Sequence, residues 1–587
     1  MRGPTLPKVR FPTVNAMLAA AGQTPFKLTF VDAAEREESL PWGDVYRRAR
    51  RTAAGLSRLG VREGERVALL LPTSPGFMDA FFGTLLAGAV PVPLYPPVRL
   101  GRLEEYHRAT ARMLQVTEAS LVLTDSRVRL LLGPSVERSR PRLGCHTVEE
   151  VSRGDDEREV AVSPAALGLI QFSSGSTVDP KPVALTQGAL LSQVMALEVA
   201  MPLPLGTDTP RVGVSWLPLY HDMGLIGCLL SALHYPGHLV LIPPEVFLAR
   251  PALWLRAVSR HRGFISPAPN FAYGLCLKRV KDAEMEGVDL SSWKHALNGA
   301  EPVSAETLQR FAERFERWGF SARALRPVYG LSEASLAVTF PPDGRGPRSL
   351  GVDPTVLACE GRVAEGSRQL VSVGSPVAGF EVEVRDAQGT VLQDKRVGAI
   401  FTRGPSLMES YFGDALATRR ALTLDGWLDT GDQGFISDGE LYLTGRAKDV
   451  VIIRGANHAP QSFEEPLQAV EGVRTGCAVA LGFTPEGGQD EALLILAERG
   501  GVEEEASVVE ERIRAAVVEA TGVRPHTVKL LEPGTLPRTS SGKLRRGEAL
   551  RRYLSEELTP PKKVGMVGMA VEMARSALAM ARAEHET

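Results

Sequence analysis

Short apolar runs alternate with longer stretches of mixed polarity through the first 440 residues of the chain. Each apolar run is rich in leucine or β-branched residues and is bounded by glycine or proline. The clearest runs are residues 66–71, 89–94, 120–124 and 238–242. Between them, residues 42–59 and 75–88 carry apolar positions at the spacing of an α-helix. This alternation predicts an α/β fold with buried parallel strands.

The pattern changes near Gly445, where a second unit begins. The elements predicted beyond this point are strand 450–454, helix 461–470, strands 478–483 and 492–497, helix 502–521 and strand 527–531. Since a domain holds roughly 100–200 residues, a chain of 587 residues is expected to form about three to four structural units. We therefore predict a large N-terminal domain of several subdomains (residues 1–445) and a small, mobile α+β domain (residues 446–560).

Two further segments differ from the rest of the chain in composition or in hydrophobic periodicity. Residues 343–370 combine glycine, proline and charge without a clear period, which indicates an insertion or a mobile surface segment. Residues 561–587 form a predicted helical tail, in which one face carries Met566, Met569, Met573 and Met580. We expect this methionine face to dock on the tail's own domain, with binding to a partner protein as the alternative.

The charge balance is nearly even, with 67 basic and 69 acidic residues and a formal net charge of −2. Binding to a nucleic-acid backbone requires a basic surface, so we predict no nucleic-acid partner. The best candidate for a membrane segment, residues 224–233, is well short of the roughly 20 residues that a spanning helix needs, and we expect no transmembrane segment. Five cysteines without a C-x-x-C pair favour a reducing, cytoplasmic location.

Five polar segments contain residue types that are used in nucleotide chemistry. In the first, residues 171–183, small hydroxyl residues surround a glycine and are followed by a lysine, a combination that can cradle a phosphate. In the second, residues 327–334, Tyr329 can stack on a base and Glu333 can hold a cation near phosphate. Taken singly, the Ser/Gly-rich segment is more typical of an ordinary turn.

The remaining three segments lie closer to the end of the chain. The third, residues 426–432, ends in Asp432, which can accept two hydrogen bonds from a ribose diol or simply cap a turn. The fourth, residues 444–449, lies at the predicted domain junction. The fifth, residues 537–546, places Lys543 on a glycine-containing loop led by small polar residues, a pattern that suits a mobile lysine but that, taken singly, is more typical of a solvated surface lysine.

In this order and spacing, the five segments closely resemble the signature motifs of the adenylate-forming superfamily, which includes acyl-CoA synthetases, luciferases and nonribosomal-peptide adenylation domains. The resemblance covers nearly the whole chain. A narrower resemblance, to the fatty acyl-AMP ligases, is carried by residues 90–97, 216–227, 266–273 and 297–303. Those ligases also contain an insertion in the second half of the large domain, which is where residues 343–370 fall.

The resemblance implies a two-step reaction that uses ATP and Mg²⁺. A fatty carboxylate attacks the α-phosphate of ATP, pyrophosphate leaves, and the acyl group of the acyl-adenylate then passes to a phosphopantetheine thiol. The implied acceptor is an acyl carrier protein or a carrier domain of a polyketide or nonribosomal peptide synthase. Two alternatives stay open: a fatty acyl-CoA synthetase with the same first step, and a weakly active homologue that binds acyl-nucleotides.

The same resemblance implies roles for individual residues. Those expected to hold the β- and γ-phosphates are Ser173, Ser174, Gly175, Ser176, Thr177 and Lys181. Those expected to frame the adenine are Gly299, Ala300, Glu301, Tyr329 and Gly330. Glu333 is the expected Mg²⁺ ligand, and Ser332 is expected near the α-phosphate. Asp432 is expected to bind the ribose hydroxyls with Arg446 nearby, while Lys543 is expected to bridge the carboxylate and the α-phosphate.

The acyl chain requires an apolar tunnel, since burying each CH₂ group stabilises binding by about 0.8 kcal/mol. The expected wall residues are Met223, Leu225, Ile226 and Phe271. His221 and Asp222 are expected near the carboxylate end, with His221 taking part in catalysis. Lys448 matches the family's hinge, about which the small domain would rotate between the two steps.

Four positions depart from the family's usual pattern. Pro182 stands in place of a glycine, so it biases Lys181 toward an extended backbone and removes an amide donor. Asp179 brings an acid near the expected triphosphate. Ala459 and Ser462 replace an aromatic residue and an acid that are common after the hinge. We expect these changes to weaken ATP binding or to alter its pose.

Overall fold

The structure is a computed structural model that describes residues 1–97, 100–173, 180–202, 211–453, 455–485, 491–501, 504–539, 542–562 and 565–585. It confirms the α/β class, with a large N-terminal domain and a smaller C-terminal α+β domain. The loop residues Ser174, Gly175, Ser176, Thr177 and Asp179 lie outside the described residues.

Seven strands form the central sheet of the large domain. In order across the sheet they are Leu325–Pro327, His295–Asn298, Ile265–Ala268, Val212–Ser215, His238–Leu241, Lys27–Val31 and Glu37–Pro41. All neighbouring pairs are parallel except the edge pair Lys27–Val31 and Glu37–Pro41. Helices usually cover a parallel sheet on both faces, and most residues of these parallel strands are buried, polar ones such as Asn298 and Ser215 included.

A second, fully parallel sheet precedes the central sheet in the chain. Its strands, in order, are Val90–Leu94, Arg66–Leu70, Ala119–Thr124 and Cys145–Thr147. The predicted strands 66–71, 89–94, 120–124 and 238–242 are thus confirmed to within a residue or two at their ends. One continuous apolar core contains side chains from both sheets, including Leu28 and Val214 of the central sheet and Leu121 of the second.

Smaller sheets complete the described part of the large domain. A four-stranded antiparallel sheet consists of Glu381–Arg385, Gly398–Arg403, Leu428–Ser437 and Glu440–Arg446. Two three-stranded sheets consist of Ser410–Tyr411, Pro182–Thr186 and Leu167–Phe172, and of Tyr329–Gly330, Ala337–Phe340 and Ser375–Pro376. A two-stranded sheet pairs Ser349–Val352 with Arg368–Val371.

Several helices of the large domain begin at a residue whose side chain caps the first turn. Thr13, Ser74 and Ser304 each accept a hydrogen bond from the amide three residues on, which satisfies one of the free N–H groups of a first turn. The predicted helices 42–59 and 75–88 are confirmed. The α-helices are Val14–Ala21, Trp42–Arg58, Pro75–Leu86, Leu103–Val116, Ser126–Arg129, Gly133–Ser139, Val148–Val151, Gln187–Ala200, Asp222–Gly224, Ser231–His234, Pro244–Ala249, Ala252–Arg260, Asn270–Arg279, Ala305–Phe315, Pro354–Glu360 and Ala415–Ala421.

The small domain is built on a three-stranded sheet of Val473–Phe483, Ala492–Arg499 and Thr527–Leu531. A hairpin of Val451–Ile453 and Ala456–His458 precedes it. Its α-helices are Pro460–Glu464, Ala506–Thr521 and Arg546–Leu554. The predicted helix 461–470 is shorter than expected, because Pro466 cannot donate a helical hydrogen bond and the chain continues as a 3₁₀ turn.

Residues 343–370 are more regular than expected. They contain the Ser349–Val352 strand, whose partner strand ends at Val371, and the Pro354–Glu360 helix. Asp353 caps this helix by accepting hydrogen bonds from the next two amides, and Gly361 ends it with a φ of 59°. The expectation of an irregular segment was wrong because elements of four to seven residues are too short to show a period.

The tail forms the predicted helix, Met566–His585, but its docking surface differs from the prediction. The helix packs on the Gly133–Ser139 helix of the large domain rather than on the small domain that it follows. The amide of Gly133 donates to Ser576 Oγ at 2.8 Å, and Met580 is buried in the core beneath. Met566, by contrast, is 91% exposed. Spacing alone identified the helix and a methionine face but not which surface the helix covers.

Among the residues that the structure describes, no helix is both long and apolar enough to cross a bilayer. Residues 225–230 of the candidate segment form a π-helical turn, and most of its side chains lie inside the large domain.

Candidate active site

A cleft lies at the carboxyl edge of the central sheet, where four parallel strands end side by side. Residues 216–222 follow Val212–Ser215, and Asn270 follows Ile265–Ala268. Residues 299–301 and Tyr329 follow the next two strands of the sheet. Because ligands of open α/β sheets bind outside the carboxyl ends of the strands, this edge is where the predicted site residues are expected to converge.

His221, Asp222 and Ser332 form one cluster in this cleft. His221 Nδ1 lies 2.7 Å from Asp222 Oδ1, and Ser332 Oγ donates to Asp222 Oδ2 at 2.5 Å. Burial alone would raise the pKa of Asp222, yet these contacts and the positive charge of Lys543 lower it to about 2. Asp222 is therefore a carboxylate at neutral pH, and it holds the imidazole of His221 in a fixed orientation.

His221 has a second ring nitrogen whose position is informative. Nε2 is buried and has no hydrogen-bond partner among the described residues. A buried polar atom without a partner is costly, so such an atom in a cleft is well placed to meet a polar ligand group.

Tyr329, Asp432 and Arg446 form a second cluster. Tyr329 Oη donates to Asp432 Oδ2 at 2.8 Å, and Arg446 Nε donates to Asp432 Oδ1 at 3.0 Å. Burial raises the pKa of Asp432, whereas the charge of Arg446 and the tyrosine hydroxyl oppose that rise. Asp432 and Arg446 face each other across paired strands, so the sheet itself sets this geometry.

Glu333 lies in a third cluster, whose other members are Lys181 and Tyr411. Tyr411 Oη donates to Glu333 Oε1 at 2.8 Å, and Lys181 Nζ lies 4.3 Å from the centroid of the Tyr411 ring. Burial raises the pKa of Glu333, and the tyrosine hydroxyl opposes this by favouring the carboxylate. One tyrosine therefore contacts both the expected Mg²⁺ ligand and the expected phosphate-binding lysine.

Tyr411 is a site residue that the sequence did not reveal. It lies on the two-residue strand Ser410–Tyr411, which pairs with Pro182–Thr186 so that Tyr411 is opposite Val183. More than two hundred residues separate these strands in the chain, and a two-residue strand has no detectable period. The local sequence offered one weak sign of a site residue here, an aromatic residue close to a glycine turn.

The departure at Pro182 is accommodated by its place in the sheet. Pro182 is the first residue of its strand, a position that tolerates a missing amide, and its carbonyl accepts from Phe412 N at 2.8 Å. The amide of Ser173 donates to the Lys181 carbonyl at 2.9 Å. Ser173 and Lys181 therefore form the paired base of the loop that carries the expected phosphate ligands.

The expected adenine-binding residues share a tightly constrained backbone. A Cβ atom on Gly299 would lie 2.8 Å from Val328 Cγ2, and one on Gly330 would overlap the Leu336 carbonyl. Ala300 has a φ of 69°, an unusual conformation for a residue with a side chain. Strain of this kind is concentrated at ligand sites, where surrounding contacts hold it in place.

Lys543 reaches this cleft from the small domain. Its ammonium interacts electrostatically with the carboxylates of Asp222, Glu301 and Asp432. Removal from water lowers the pKa of Lys543, and these carboxylates act in the opposite direction by favouring the cation. The loop is closed by hydrogen bonds of 2.8 and 3.0 Å with Thr539.

The expected tunnel residues have different environments. Met223, Leu225 and Ile226 are buried in the main core of the large domain. Phe271 is 37% exposed, and its amide donates to Glu301 Oε1 at 2.5 Å. The structure therefore groups Phe271 with the cleft and the other three with the packed interior behind it, and their role as tunnel walls stays a prediction.

Lys448 lies in the exposed 3₁₀ turn Ala447–Asp449 that joins the two domains. Asp449 beside it forms an ion pair of 3.2 Å with Arg546 of the small domain. Ser462, one of the departures noted above, accepts a hydrogen bond of 2.7 Å from Arg368 at the edge of the inserted segment. A polar contact across the domain interface thus occupies this position.

Comparisons with known proteins show which family the chain is similar to. The AMP-binding enzyme family matches residues 18–412. The chain is 35% identical to a putative acyl-CoA synthetase of Caulobacter vibrioides, over 93% of this chain and 96% of that protein. It is 32% identical to the medium-chain-fatty-acid–acyl-carrier-protein ligase JamA of Moorena producens, over 90% and 92%. A solved structure from studies of fatty acyl-adenylate ligases of E. coli and L. pneumophila has a TM-score of 0.87 and 32% identity, over 94% and 99%.

The contacts of Tyr411 generate a prediction about nucleotide affinity. In Tyr411→Phe the ring beside Lys181 is kept, but Glu333 loses its hydrogen-bond donor. We expect affinity for ATP to fall about tenfold, the usual effect of losing a hydrogen bond to a charged group. Affinity for AMP, which lacks the β- and γ-phosphates, should stay within about twofold. Isothermal titration calorimetry with each nucleotide measures both values.

A matched control for Tyr411 is Tyr442→Phe. The Tyr442 hydroxyl is buried without a hydrogen-bond partner among the described residues, and its ring stacks on Phe435 outside the cleft. Its removal should leave both affinities unchanged. Equal losses of ATP and AMP affinity in Tyr411→Phe would contradict a specific role near the β- and γ-phosphates.

Proposed function

The chain belongs to the AMP-binding enzyme family, and on this premise we propose that it is a fatty acyl-AMP ligase. It activates a fatty acid with ATP to give an acyl-adenylate and pyrophosphate, and it passes the acyl group to the phosphopantetheine thiol of an acyl carrier protein. The relatives named for acyl-carrier-protein ligation and for fatty acyl-adenylates support this substrate and acceptor.

The observation that carries the proposal is the position of Lys543. A lysine of the small domain enters a cleft of the large domain, where it interacts with Asp222, Glu301 and Asp432. When a carboxylate attacks the α-phosphate of ATP, negative charge accumulates between two groups that are already anionic. A preorganised cation at this point stabilises the transition state more than the ground state.

The other clusters supply binding and orientation. Asp432 accepts hydrogen bonds from the ribose hydroxyls, and Arg446 holds its carboxylate in place. Tyr329, with the constrained backbone of Gly299, Ala300, Glu301 and Gly330, frames the adenine. Ser173 and Lys181 support the β- and γ-phosphates, and Ser332 lies beside the α-phosphate. Holding the acid and the nucleotide together in one cleft converts their encounter into an effectively unimolecular step.

Mg²⁺ fits this site through Glu333. Within the described ranges, no group of three or more His, Cys, Asp and Glu side chains forms a metal cluster. Mg²⁺ is usually held by one or two carboxylates together with substrate phosphates, so a single carboxylate oriented by Tyr411 suits it. When bound, the ion would neutralise charge on the phosphates. Glu333 would supply a carboxylate oxygen as one of the ligands of the ion.

His221 and the residues around it receive the acyl substrate. As an imidazolium that donates Nδ1–H to Asp222, His221 donates the N–H of its unpartnered Nε2 to the substrate carboxylate, while Asp222 fixes the ring. Phe271 lines the start of the acyl path, with Met223, Leu225 and Ile226 behind it. The free thiols of all five cysteines are compatible with a cytoplasmic location for this ATP-dependent reaction.

A direct test of the function is intact-mass detection of acyl transfer. Purified enzyme is incubated with ATP, Mg²⁺, a panel of fatty acids and a holo-acyl carrier protein. The expected result is a carrier mass increased by one acyl group, with pyrophosphate released only when a fatty acid is present. Absence of fatty-acid-dependent pyrophosphate release would leave only the weakly active homologue. Faster transfer to coenzyme A than to the carrier would favour the acyl-CoA synthetase alternative, which the Caulobacter relative's name suggests.

Replacement of Lys543 should abolish most adenylate formation. In Lys543→Ala we expect the rate of fatty-acid-dependent pyrophosphate release to fall by roughly 10²–10³ or more, the effect of losing one preorganised charge-stabilising donor. Thiol transfer from supplied acyl-adenylate should be much less affected. Lys529→Ala, an exposed lysine of the same domain, is the control. Unchanged adenylation in Lys543→Ala would remove this residue from the mechanism.

Replacement of Lys448 should impair thiol transfer more than adenylate formation, the opposite of the effect expected for Lys543. Proline fixes φ and restricts the preceding residue, so Lys448→Pro should hinder rotation at the junction. We expect transfer from supplied acyl-adenylate to fall at least about tenfold more than adenylate formation. Rapid-quench measurement of each half-reaction tests this, and Lys448→Ala serves as the control. A larger loss in adenylation than in transfer would argue against a hinge at this position.

A further inference from the structure

The small domain is held against the large domain by a polar cluster on a face that the mechanism above does not use. Arg102 ends a short 3₁₀ turn, Leu100–Arg102, and Glu105 lies in the first turn of the helix that follows. Glu105 pairs with Arg552 of the small domain through contacts of 2.8 and 3.3 Å. Arg102 Nη1 donates to Glu105 Oε1 at 2.8 Å, so the two large-domain residues act together.

Arg102 also contacts the backbone of the small domain and of the linker beyond it. Its Nη2 donates to the Thr559 carbonyl at 2.9 Å and lies 3.4 Å from each of the Gly534 and Thr535 carbonyls. A guanidinium presents several donors in a fixed fork, which suits simultaneous contact with carbonyls and a carboxylate. One side chain thus joins three separate parts of the chain.

The two arginines of the cluster are largely shielded from solvent. The side chains of Arg102 and Arg552 are only 14% and 12% exposed. Arg552 Nε also donates to Glu548 Oε1 at 2.6 Å, so its charge is balanced within the small domain as well as across the interface. Exposed ion pairs contribute little because water and salt screen them, whereas pairs of this kind lose less to screening.

The position of these contacts along the chain relates them to Lys543. Gly534 and Thr535 precede the Lys543 loop, and Arg552 lies on the helix that follows it. Between them, Leu536 N donates to the fully buried Glu498 at 2.9 Å, which ties the start of the loop to the sheet. Contacts that fix the segments on both sides of the loop therefore fix where the loop points.

The linker after the small domain is held at its far end too. Lys562 packs its backbone closely against Gly101, and the tail helix is docked on the large domain through Ser576 and Met580. The chain segment leaving the small domain therefore starts and ends on large-domain contacts. Rotation of the small domain must break the contacts to Arg102, whether or not the tail helix stays docked.

We propose that Arg102 and Glu105 form a latch, with Arg552 as its counterpart, that holds the small domain in the orientation in which Lys543 enters the cleft. They are positioning residues for adenylate formation, and the latch opens when the small domain rotates for thiol transfer. The proposal rests on the fatty acyl-AMP ligase function proposed above. It adds a conformational role for residues that contact neither nucleotide nor acyl chain.

The latch makes a quantitative prediction about the two half-reactions. Adenylation requires the latched orientation and transfer requires the rotated one, so the ratio of their rates follows the equilibrium between the two. Losing the charged hydrogen bonds of one latch residue should lower the adenylation-to-transfer ratio about tenfold. A loss of general stability would lower both rates together and leave their ratio unchanged.

The experiment measures both half-reactions of full-length Arg102→Ala, Glu105→Gln and Arg552→Gln. Adenylation is followed as dodecanoate-dependent pyrophosphate release, and transfer as acylation of a holo-acyl carrier protein from supplied dodecanoyl-adenylate. We expect the ratio to fall in each variant, less in Arg102→Lys, which keeps the charge but not the fork. Hydrogen exchange at residues 555–562 should be faster in Arg102→Ala than in the wild type.

The control is Arg142→Ala, which removes an ion pair with Glu65 that lies entirely within the large domain. It should leave the ratio unchanged. The double variant Glu105→Gln/Arg552→Gln should change the ratio by less than the product of the single effects, because both remove the same contact. A ratio within twofold of wild type in folded Glu105→Gln and Arg552→Gln would overturn the latch. A wild-type enzyme that forms no adenylate would instead overturn the proposed function.

Discussion

A lysine ammonium that leaves water for a closed cleft loses its hydration, and only nearby negative charge makes that position tolerable. Lys543 is in this situation, and the compensating carboxylates of Asp222, Glu301 and Asp432 all belong to the other domain. The active arrangement therefore exists only while the two domains are together. In the proposed mechanism, domain orientation, nucleotide binding and catalysis are coupled through this one charge.

The large domain orients the acids that surround the Lys543 ammonium without help from the small domain. Strands of the central sheet end together, and the loops beyond them carry His221, Glu301 and Tyr329 to one edge. Asp222 and Asp432 are each held by neighbours of the same domain, through Ser332 and Tyr329 respectively. Because these acids are oriented before Lys543 arrives, closure requires little rearrangement of the cleft, which is the condition for effective electrostatic stabilisation.

Much of the fold and of the candidate site was predictable from the sequence, and the features that the sequence did not predict were missed for one shared reason. Local patterns identified the strands of the second sheet, the strand His238–Leu241 of the central sheet, the long helices and the tail helix, while motif order identified the family. Tyr411 and the latch pair Glu105–Arg552 were missed because each contact joins distant segments with no local signature. The docking surface of the tail was missed for the same reason: a periodic methionine face predicts burial but does not identify the surface against which it is buried.

A latch that serves a two-step enzyme has to be of moderate strength. Shifting a two-state equilibrium from 1:99 to 99:1 takes about 5.5 kcal/mol of differential stabilisation. If the latched state were favoured by much more than that, too little of the rotated state would be populated for thiol transfer. Glu105 remains 41% exposed while its two arginine partners are nearly buried. Water therefore keeps access to one side of the pair, which lowers the cost of separating the charges and leaves the small domain free to turn once the adenylate has formed.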